Sequence, residues 1–285
     1  MKSTLADVVE QALGIAPQSI SPLSGGSVGE VYRAVLPTGI DVVVKVDRGP
    51  EPHLNLEGDM LRYLRRNSEL PVPEVLQSDG DLLILEMLPG ASSFSPEAEI
   101  DAANLLAALH SIENPMHGFE YDTLIGSLHQ PNPKTEKWIG FFRDQRLLHM
   151  ARHACKESRM SLDTLNRIEK FASRLEEWLH EPEHPSLLHG DIWTTNVMAR
   201  RDRITGFIDP AVYYGHPEIE LAFITLFNTF GDAFFDRYDE ITGIEAEFFD
   251  TRRDIYNLYP LLVHVRLFGG AYVGQVERAL GRFGF

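Results

Sequence analysis

The chain has 285 residues, 44% of them hydrophobic and 10% aromatic, enough for a packed core and, at about 150 residues per domain, for roughly two lobes. Its 26 basic against 42 acidic residues give a formal charge of −16, which argues against a sequence-independent grip on nucleic acid, because that needs Lys and Arg opposite phosphates. One cysteine, Cys155, excludes an intramolecular disulfide, and no apolar run approaches the roughly 18 residues of a membrane span.

Met1 to Leu5 is followed by Asp7 and Glu10 before an export-signal core can form, so a cytoplasmic chain away from membranes is expected. The first ninety residues read as strand-rich. Val28 to Leu36 and Ile40 to Val46 alternate as two strands around a Pro37-Thr38-Gly39 turn, a hairpin with Lys45 on its second strand. His53 to Asn67 turns helical, with Leu54, Leu61 and Leu64 roughly in phase, and Pro71 and Pro73 close it. Leu82 to Leu85 reads as a buried strand, and Leu88-Pro89-Gly90 then breaks the chain. That break divides residues 1–88, a β-rich lobe, from residues 89–285.

Beyond it helices dominate. Ser95-Pro96-Glu97 combines a capping Ser, Pro at the first helical position and an early acid, and Leu105, Leu106, Leu109 and Ile112 follow. Asn132-Pro133 opens a second helix through Trp138, Phe141, Phe142 and Leu148, and Ser161 caps a third running to about His180. Between Leu187 and Asp209 the pattern returns to short strands and loops around Arg200-Arg201-Asp202-Arg203; the remainder is helical.

The strongest chemical signal is His189-Gly190-Asp191-Ile192-Trp193-Thr194-Thr195-Asn196, followed by Gly206-Phe207-Ile208-Asp209. An Asp, an Asn five residues on and a second Asp thirteen beyond that form a magnesium and phosphoryl-transfer constellation. Such chemistry needs a carboxylate beside the attacking hydroxyl and oxygen ligands for the Mg²⁺ that bridges a triphosphate. Upstream, Gly26, Ser27 and Gly29 lie in a glycine-rich stretch, Ser24 to Val31, that overlays a phosphate-loop pattern. Lys45 on the following strand can reach the α- and β-phosphates, and Glu57 on the next helix can pair with it. Glu86 to Leu88 falls where backbone would hold an adenine edge.

Taken together, the chain resembles the protein-kinase-like small-molecule kinases, and within them the fructosamine (ketosamine) kinases. The resemblance rests on His189 to Trp193, Ile208 to His216, Leu258 to Leu262 with Leu267 to Gly270, and Ile125 to Ser127 with Gln130 to Asn132, Trp138 and Phe141-Phe142. It spans essentially the whole chain and implies an α+β, protein-kinase-like bilobal fold. It also implies ATP- and Mg²⁺-dependent phosphorylation of a sugar hydroxyl on a ketosamine, either a small molecule or a glycated protein lysine, with a monomer expected. By motif position Asp191 would accept the hydroxyl proton, Asn196 and Asp209 would hold magnesium, and Gly26, Ser27, Gly29, Lys45, Glu57, Glu86 and Leu88 would bind ATP. Trp193 would line the sugar pocket unless it is a core aromatic, and Glu218 would offer a carboxylate to the substrate amine unless it is a solvated helix-start acid. Other readings are a different small-molecule hydroxyl kinase of the aminoglycoside phosphotransferase-like group, or a nucleotide-binding scaffold without turnover.

Four positions depart from the family pattern. Thr194-Thr195 replaces small residues before the Asn, and Ser27 stands where some relatives carry a cysteine, so no redox switch is expected there. Glu220 replaces an Asp, and its extra methylene is expected to loosen support of the catalytic loop. His149 and His153, four apart on a helix, have zinc-like spacing but no evident third ligand, and read as a solvated or core pair. Phe223, Phe227, Phe230, Phe234 and Phe235 read as core, and the acids from Asp236 to Glu247 as solvated surface.

Overall fold

The computed structural model describes residues 4–23 and 29–285. It opens with a helix that the strand-rich reading of this region leaves out, α1 (Leu5–Leu13). Its start is fixed by a reciprocal cap: Asp7 N–H donates to Thr4 Oγ1 (3.2 Å), and Thr4 N–H donates to the Asp7 carboxylate (2.7 Å).

Strands β1 (Ser19–Pro22), β2 (Glu30–Val35), β3 (Asp41–Val46), β4 (Val75–Ser78) and β5 (Leu82–Glu86) form one antiparallel sheet ordered β1-β2-β3-β5-β4. Successive side chains on a strand point to opposite faces, and this alternation builds two environments. Val42, Val44, Leu82 and Ile84 join Ala34, Leu36 and Val9 in a small core shared with α1. On the other face, Leu83 and Leu85 join the main core with Leu54, Leu61 and Leu64 of α2 (Leu54–Asn67). Lys45, one residue out of phase with Val44, is thereby turned toward α2.

The helical part starts with α3 (Pro96–His110), where Ser95 Oγ accepts from Ala98 N–H as its sequence suggests, and this helix packs along α8 (Asp232–Thr242). The hairpin of β6 (Thr123–Ile125) and β7 (Leu128–Gln130) follows. The helix expected from Asn132-Pro133 instead begins six residues later, as α4 (Trp138–Phe141). Asn132 is held by tertiary contacts, its amide donating to Tyr121 O (3.2 Å) and Thr123 Oγ1 (2.8 Å). The true start is capped from a distance, by the Glu181 carboxylate accepting from Trp138 N–H at 2.6 Å. A wider π-turn (Phe142–Leu147) joins α4 to α5 (Leu148–Lys156). In that turn the Arg146 guanidinium, fully buried, donates to Pro131 O and Asn132 Oδ1 (2.7 Å each) and stacks 4.0 Å from the Tyr213 ring centroid. The helix capped by Ser161 is α6 (Leu162–Ala172), which stops short of His180.

Strand β8 (Ser186–Leu188) pairs with β11 (Tyr213–Gly215), and between them lies the hairpin of β9 (Val197–Arg200) and β10 (Arg203–Phe207). Helices α7 (Pro217–Leu226), α9 (Arg253–Phe268) and α10 (Val273–Arg282) complete the chain, with α7 and α10 both packed on α9. Among the described residues no helix is long and apolar enough to cross a membrane, and no group of three His, Cys, Asp or Glu side chains forms a metal cage, His149 and His153 included.

Burial sets the acid sensitivity of this core. Burial lowers His117 and His149 to about 4 and, helped by Arg252, His216 to about 3. The unfolded chain protonates these imidazoles below about pH 6.5 while the folded chain does not, so stability is full above that pH and declines as pH falls toward 4. The melting temperature is expected to drop progressively between pH 7 and pH 5 in scanning calorimetry; a flat profile would contradict the neutral assignment.

Candidate active site

Strand β8 delivers the chain to His189-Gly190-Asp191, and the loop beyond this strand is held largely through its backbone. Gly190 has φ +89°, and a Cβ on it would stand 2.1 Å from Ala211 O, so a side chain is excluded on both conformation and space. That close approach is tied by Ala211 N–H donating to His189 O at 2.8 Å. Asn196 then locks the loop from inside: its Nδ2 donates to Asp191 O (3.0 Å) and Asp191 Oδ2 (2.9 Å), and its backbone carbonyl accepts from Ile208 N–H (2.9 Å). With Nδ2 so engaged, Asn196 Oδ1, which accepts a long contact from Thr195 Oγ1 (3.4 Å), is the group left to face a ligand. Asp209, one residue past Ile208, adopts φ +54°, an unusual conformation for a residue with a Cβ. The fold thus brings Asp191, Asn196 and Asp209 together, as their spacing in the sequence leads one to expect.

Lys45 completes the constellation from the sheet. Its Nζ donates to Glu57 Oε1 at 2.7 Å and to Asp209 Oδ1, bridging α2 and the loop after β10. Only 8% of Lys45 is exposed, and burial alone would favour the neutral amine; the two carboxylates outweigh it and hold the pKa above its ordinary value. Burial raises Glu57 to about 7, against the pull of Lys45. Asp209 is drawn down by Lys45 despite its own burial, so it is the carboxylate that carries the charge of the pair. Asp191 goes the other way: burial, then the negative Asp209, push its carboxyl well above the usual range, and the Asn196 hydrogen bond opposes them. A carboxylate with raised proton affinity on such a loop suits acceptance of a hydroxyl proton.

The remaining expected site residues divide between cleft and core. Gly29 has φ +71° and its missing Cβ lets the chain pass Val46 O, where a Cβ would lie at 2.6 Å; Gly26 and Ser27 lie outside the described residues. Glu86 ends β5 with its carboxylate accepting from Glu74 N–H (3.1 Å), and Leu88 packs onto Gly206 of β10. Trp193 is half-buried, its ring 5.5 Å from Phe227 and 6.1 Å from His264 between centroids, so it is not fully enclosed. The expectation that Glu218 meets a substrate amine is corrected: both its oxygens accept from the buried Arg252 at 2.6 to 3.1 Å, so the carboxylate is committed inside the fold. Glu220 also departs from expectation. Its longer side chain supports the loop, accepting from Gly190 N–H at 2.6 Å and from His189 N–H at 3.4 Å while meeting His110 Nε2 at 2.8 Å.

His264, which no sequence motif singles out, lies beside Trp193. Burial keeps it neutral, and its Nδ1–H donates to Pro260 O (2.8 Å), so Nε2 is left as an acceptor. It sits among Trp193, Phe227 (4.9 Å), Tyr272 (5.0 Å) and Phe268 (5.4 Å). The only signal lies inside the stretch 258–270, one turn after Pro260, where a histidine in an apolar helix reads as ordinary core.

A β-sheet part carrying a buried Lys–Glu pair, set over a helical part carrying Asp191, Asn196 and Asp209, defines an α+β protein-kinase-like phosphotransferase. An aminoglycoside phosphotransferase, APH(4)-Ia in complex with ADP and hygromycin B, shares this fold (TM-score 0.68, 17% identity, 98% of this chain and 96% of that one). The fructosamine kinase family model matches residues 1–283, and the chain belongs to that family. A protein assigned as a ketoamine kinase in Vibrio parahaemolyticus is 34% identical over 273 residues, 91% of this chain and 90% of that protein. One so assigned in Escherichia coli K12 is 32% identical over 89% of this chain and 90% of its own length. The crystal structure of a protein assigned as a fructosamine-3-kinase from Thermobifida fusca superposes with TM-score 0.86 at 30% identity, over 98% of this chain and 99% of that chain.

Glu220 is buried and engaged by His110 and two N–H groups, so Glu220→Ala leaves all three without their partner. The variant is expected to lose on the order of 3–5 kcal/mol in urea denaturation, with turnover falling in the fraction that remains folded. Wild-type stability and rate together would show that the catalytic loop stands without it.

Proposed function

We propose that the protein phosphorylates a sugar hydroxyl of ketosamines, fructosamine or ribulosamine adducts of amines, at the expense of ATP. The observation that carries this reading is the half-buried Trp193, beside the neutral His264 and on the loop of Asp191, where Asn196, Asp209, Lys45 and Glu57 also meet. A flat ring offers a face to the C–H side of a sugar and to a nearby protonated amine, a contact worth about 0.5–2 kcal/mol. The free Nε2 of His264 can accept from a hydroxyl or ammonium in the same pocket.

In this reading Lys45, oriented by Glu57, holds the α- and β-phosphates, and the backbone near Glu86 and Leu88 takes the adenine edge. Gly26, Ser27 and Gly29 are assigned to the phosphates by their place in the glycine-rich stretch. Asp191 orients the sugar hydroxyl: its oxygen forms the bond to the γ-phosphorus as the bond to the bridging oxygen of ADP breaks, and the proton passes to the Asp191 carboxylate. The oxygen-only donor set of Asn196 Oδ1 and Asp209 fits a hard divalent cation. Magnesium bound there would neutralise charge on the triphosphate. Phosphorylating the sugar of an amine adduct prepares that adduct for loss, so the activity serves protein deglycation, acting on a free ketosamine or on a glycated lysine.

Asp191→Asn keeps the shape of the loop and removes the proton acceptor. Turnover is expected to disappear while nucleotide affinity, measured by titration, stays within about threefold, since the loss is confined to the transition state; near wild-type kcat would remove Asp191 from its role.

Trp193→Ala separates substrate readings. It is expected to lower kcat/KM for a ketosamine by roughly one to two orders of magnitude while basal ATP hydrolysis changes far less. The comparison is run across ketoamines, aminoglycosides and simple amino alcohols in an ATP-consumption assay. Preference for an aminoglycoside, or unaltered ketosamine kinetics in the folded variant, would overturn the proposed substrate class.

A further inference from the structure

The Lys45–Glu57 pair forms only if α2 is held at the right height above the helical part, because Glu57 rides on that helix. Two polar contacts along α2 reach the segment from Val212 to Tyr214. Met60, one turn past Glu57, lies with its sulfur 3.4 Å from Val212 N. Tyr63, a further turn on, places its hydroxyl 3.0 Å from the hydroxyl of Tyr214, and its ring meets Phe119 edge-on at 4.7 Å. Tyr214 is itself immobilised. Its N–H and C=O both pair with Gly118 (2.8 and 2.9 Å), and its strand β11 is registered against β8, with Tyr214 opposite Leu187. Two residues beyond Leu187 the chain enters the catalytic loop at His189. The hydroxyl pair therefore joins the helix that carries Glu57 to the strand that flanks the loop carrying Asp191.

We propose that this Tyr63–Tyr214 hydroxyl pair is a latch that fixes α2 against the helical part and so keeps Glu57 on Lys45 without any partner protein or modification. Tyr63 and Tyr214 are thus positioning residues for the nucleotide phosphates. The inference rests on the reading of Lys45 and Glu57 as the phosphate-orienting pair. Its chemistry is asymmetric. Tyr214 is 6% exposed, so Tyr63→Phe strands its hydroxyl, whereas Tyr63 is half-buried and can turn to water when Tyr214 loses its oxygen. Tyr63→Phe is accordingly the more damaging of the two changes.

Tyr63→Phe, Tyr214→Phe, the double variant and Glu57→Gln test the latch by steady-state kinetics with varied Mg·ATP at saturating ketosamine. Each Tyr variant removes one oxygen and leaves the ring contacts. The expected result is a loss of about three- to tenfold in kcat/KM for ATP, carried by KM, with the ketosamine KM within about twofold of wild type. The double variant is no worse than Tyr63→Phe alone, the mark of two groups acting through one contact. Hydrogen exchange supplies a readout that does not depend on turnover: amides of residues 54–67 exchange faster in Tyr63→Phe, while those of the β8–β11 pair do not. Unchanged ATP kinetics and unchanged exchange in both single Tyr variants, alongside a large loss in Glu57→Gln, would overturn the latch and leave the Lys45–Glu57 reading intact. Wild-type ATP kinetics in Glu57→Gln would overturn both.

Discussion

A single buried ammonium organises this protein. Lys45 lies where two carboxylates converge from segments far apart in the sequence, Glu57 from α2 and Asp209 from the loop after β10. Leaving a lysine charged inside a protein is unfavourable unless oppositely charged oxygens surround it, so the cation ties the position of each segment to the other. The alternation of β3 turns Lys45 toward α2, the first turn of α2 brings Glu57 level with it, and the left-handed turn at Asp209 points a third side chain inward. Much of the remaining architecture is scaffolding that keeps those three approaches fixed.

The scaffolding is layered outward from the loop. Asn196 holds Asp191, Glu220 holds Gly190 and His189, and His110 of α3 holds Glu220 while its other nitrogen meets Tyr238 of α8 at 2.7 Å. Support thus passes from the loop to helices distant from it in the chain. On the opposite side, Gln130 donates to Ala211 O (3.0 Å) and accepts from the Tyr259 hydroxyl (2.6 Å), while Arg146 fills the space beneath Tyr213. A charged guanidinium whose hydrogen-bond acceptors are carbonyl oxygens, stacked on aromatic faces, is a costly element to bury, and its place directly behind the segment from Ala211 to Tyr213 gives that cost a purpose.

How much the sequence discloses depends on how local each signal is. The β2–β3 hairpin, α2, the Ser95 and Ser161 caps and the trio Asp191, Asn196 and Asp209 are written in spacing and turn chemistry over a few residues, and all are legible. Residues whose meaning depends on distant partners are not. Glu218 looks like a free helix-start acid until Arg252, thirty-four residues on, takes both its oxygens. Glu220 looks one methylene too long until the N–H of Gly190 is seen to lie within its reach. Asn132-Pro133 has the composition of a helix start, yet tertiary bonds hold Asn132 outside any helix and Glu181 caps the helix elsewhere. His264 and Tyr63 carry no local mark at all; their roles arise from the rings and hydroxyls that other elements bring to them.

The contact between Gly190 and Ala211 has a mechanical meaning. With no side chain between them, and with Ala211 bonded to His189 and Gln130, the loop of Asp191 and the segment of Asp209 are fused into one rigid block. Neither carboxylate can swing away alone, as a segment flip would require. Any opening of the sheet and α2 away from the helical part must then break the Lys45–Asp209 and Tyr63–Tyr214 contacts together.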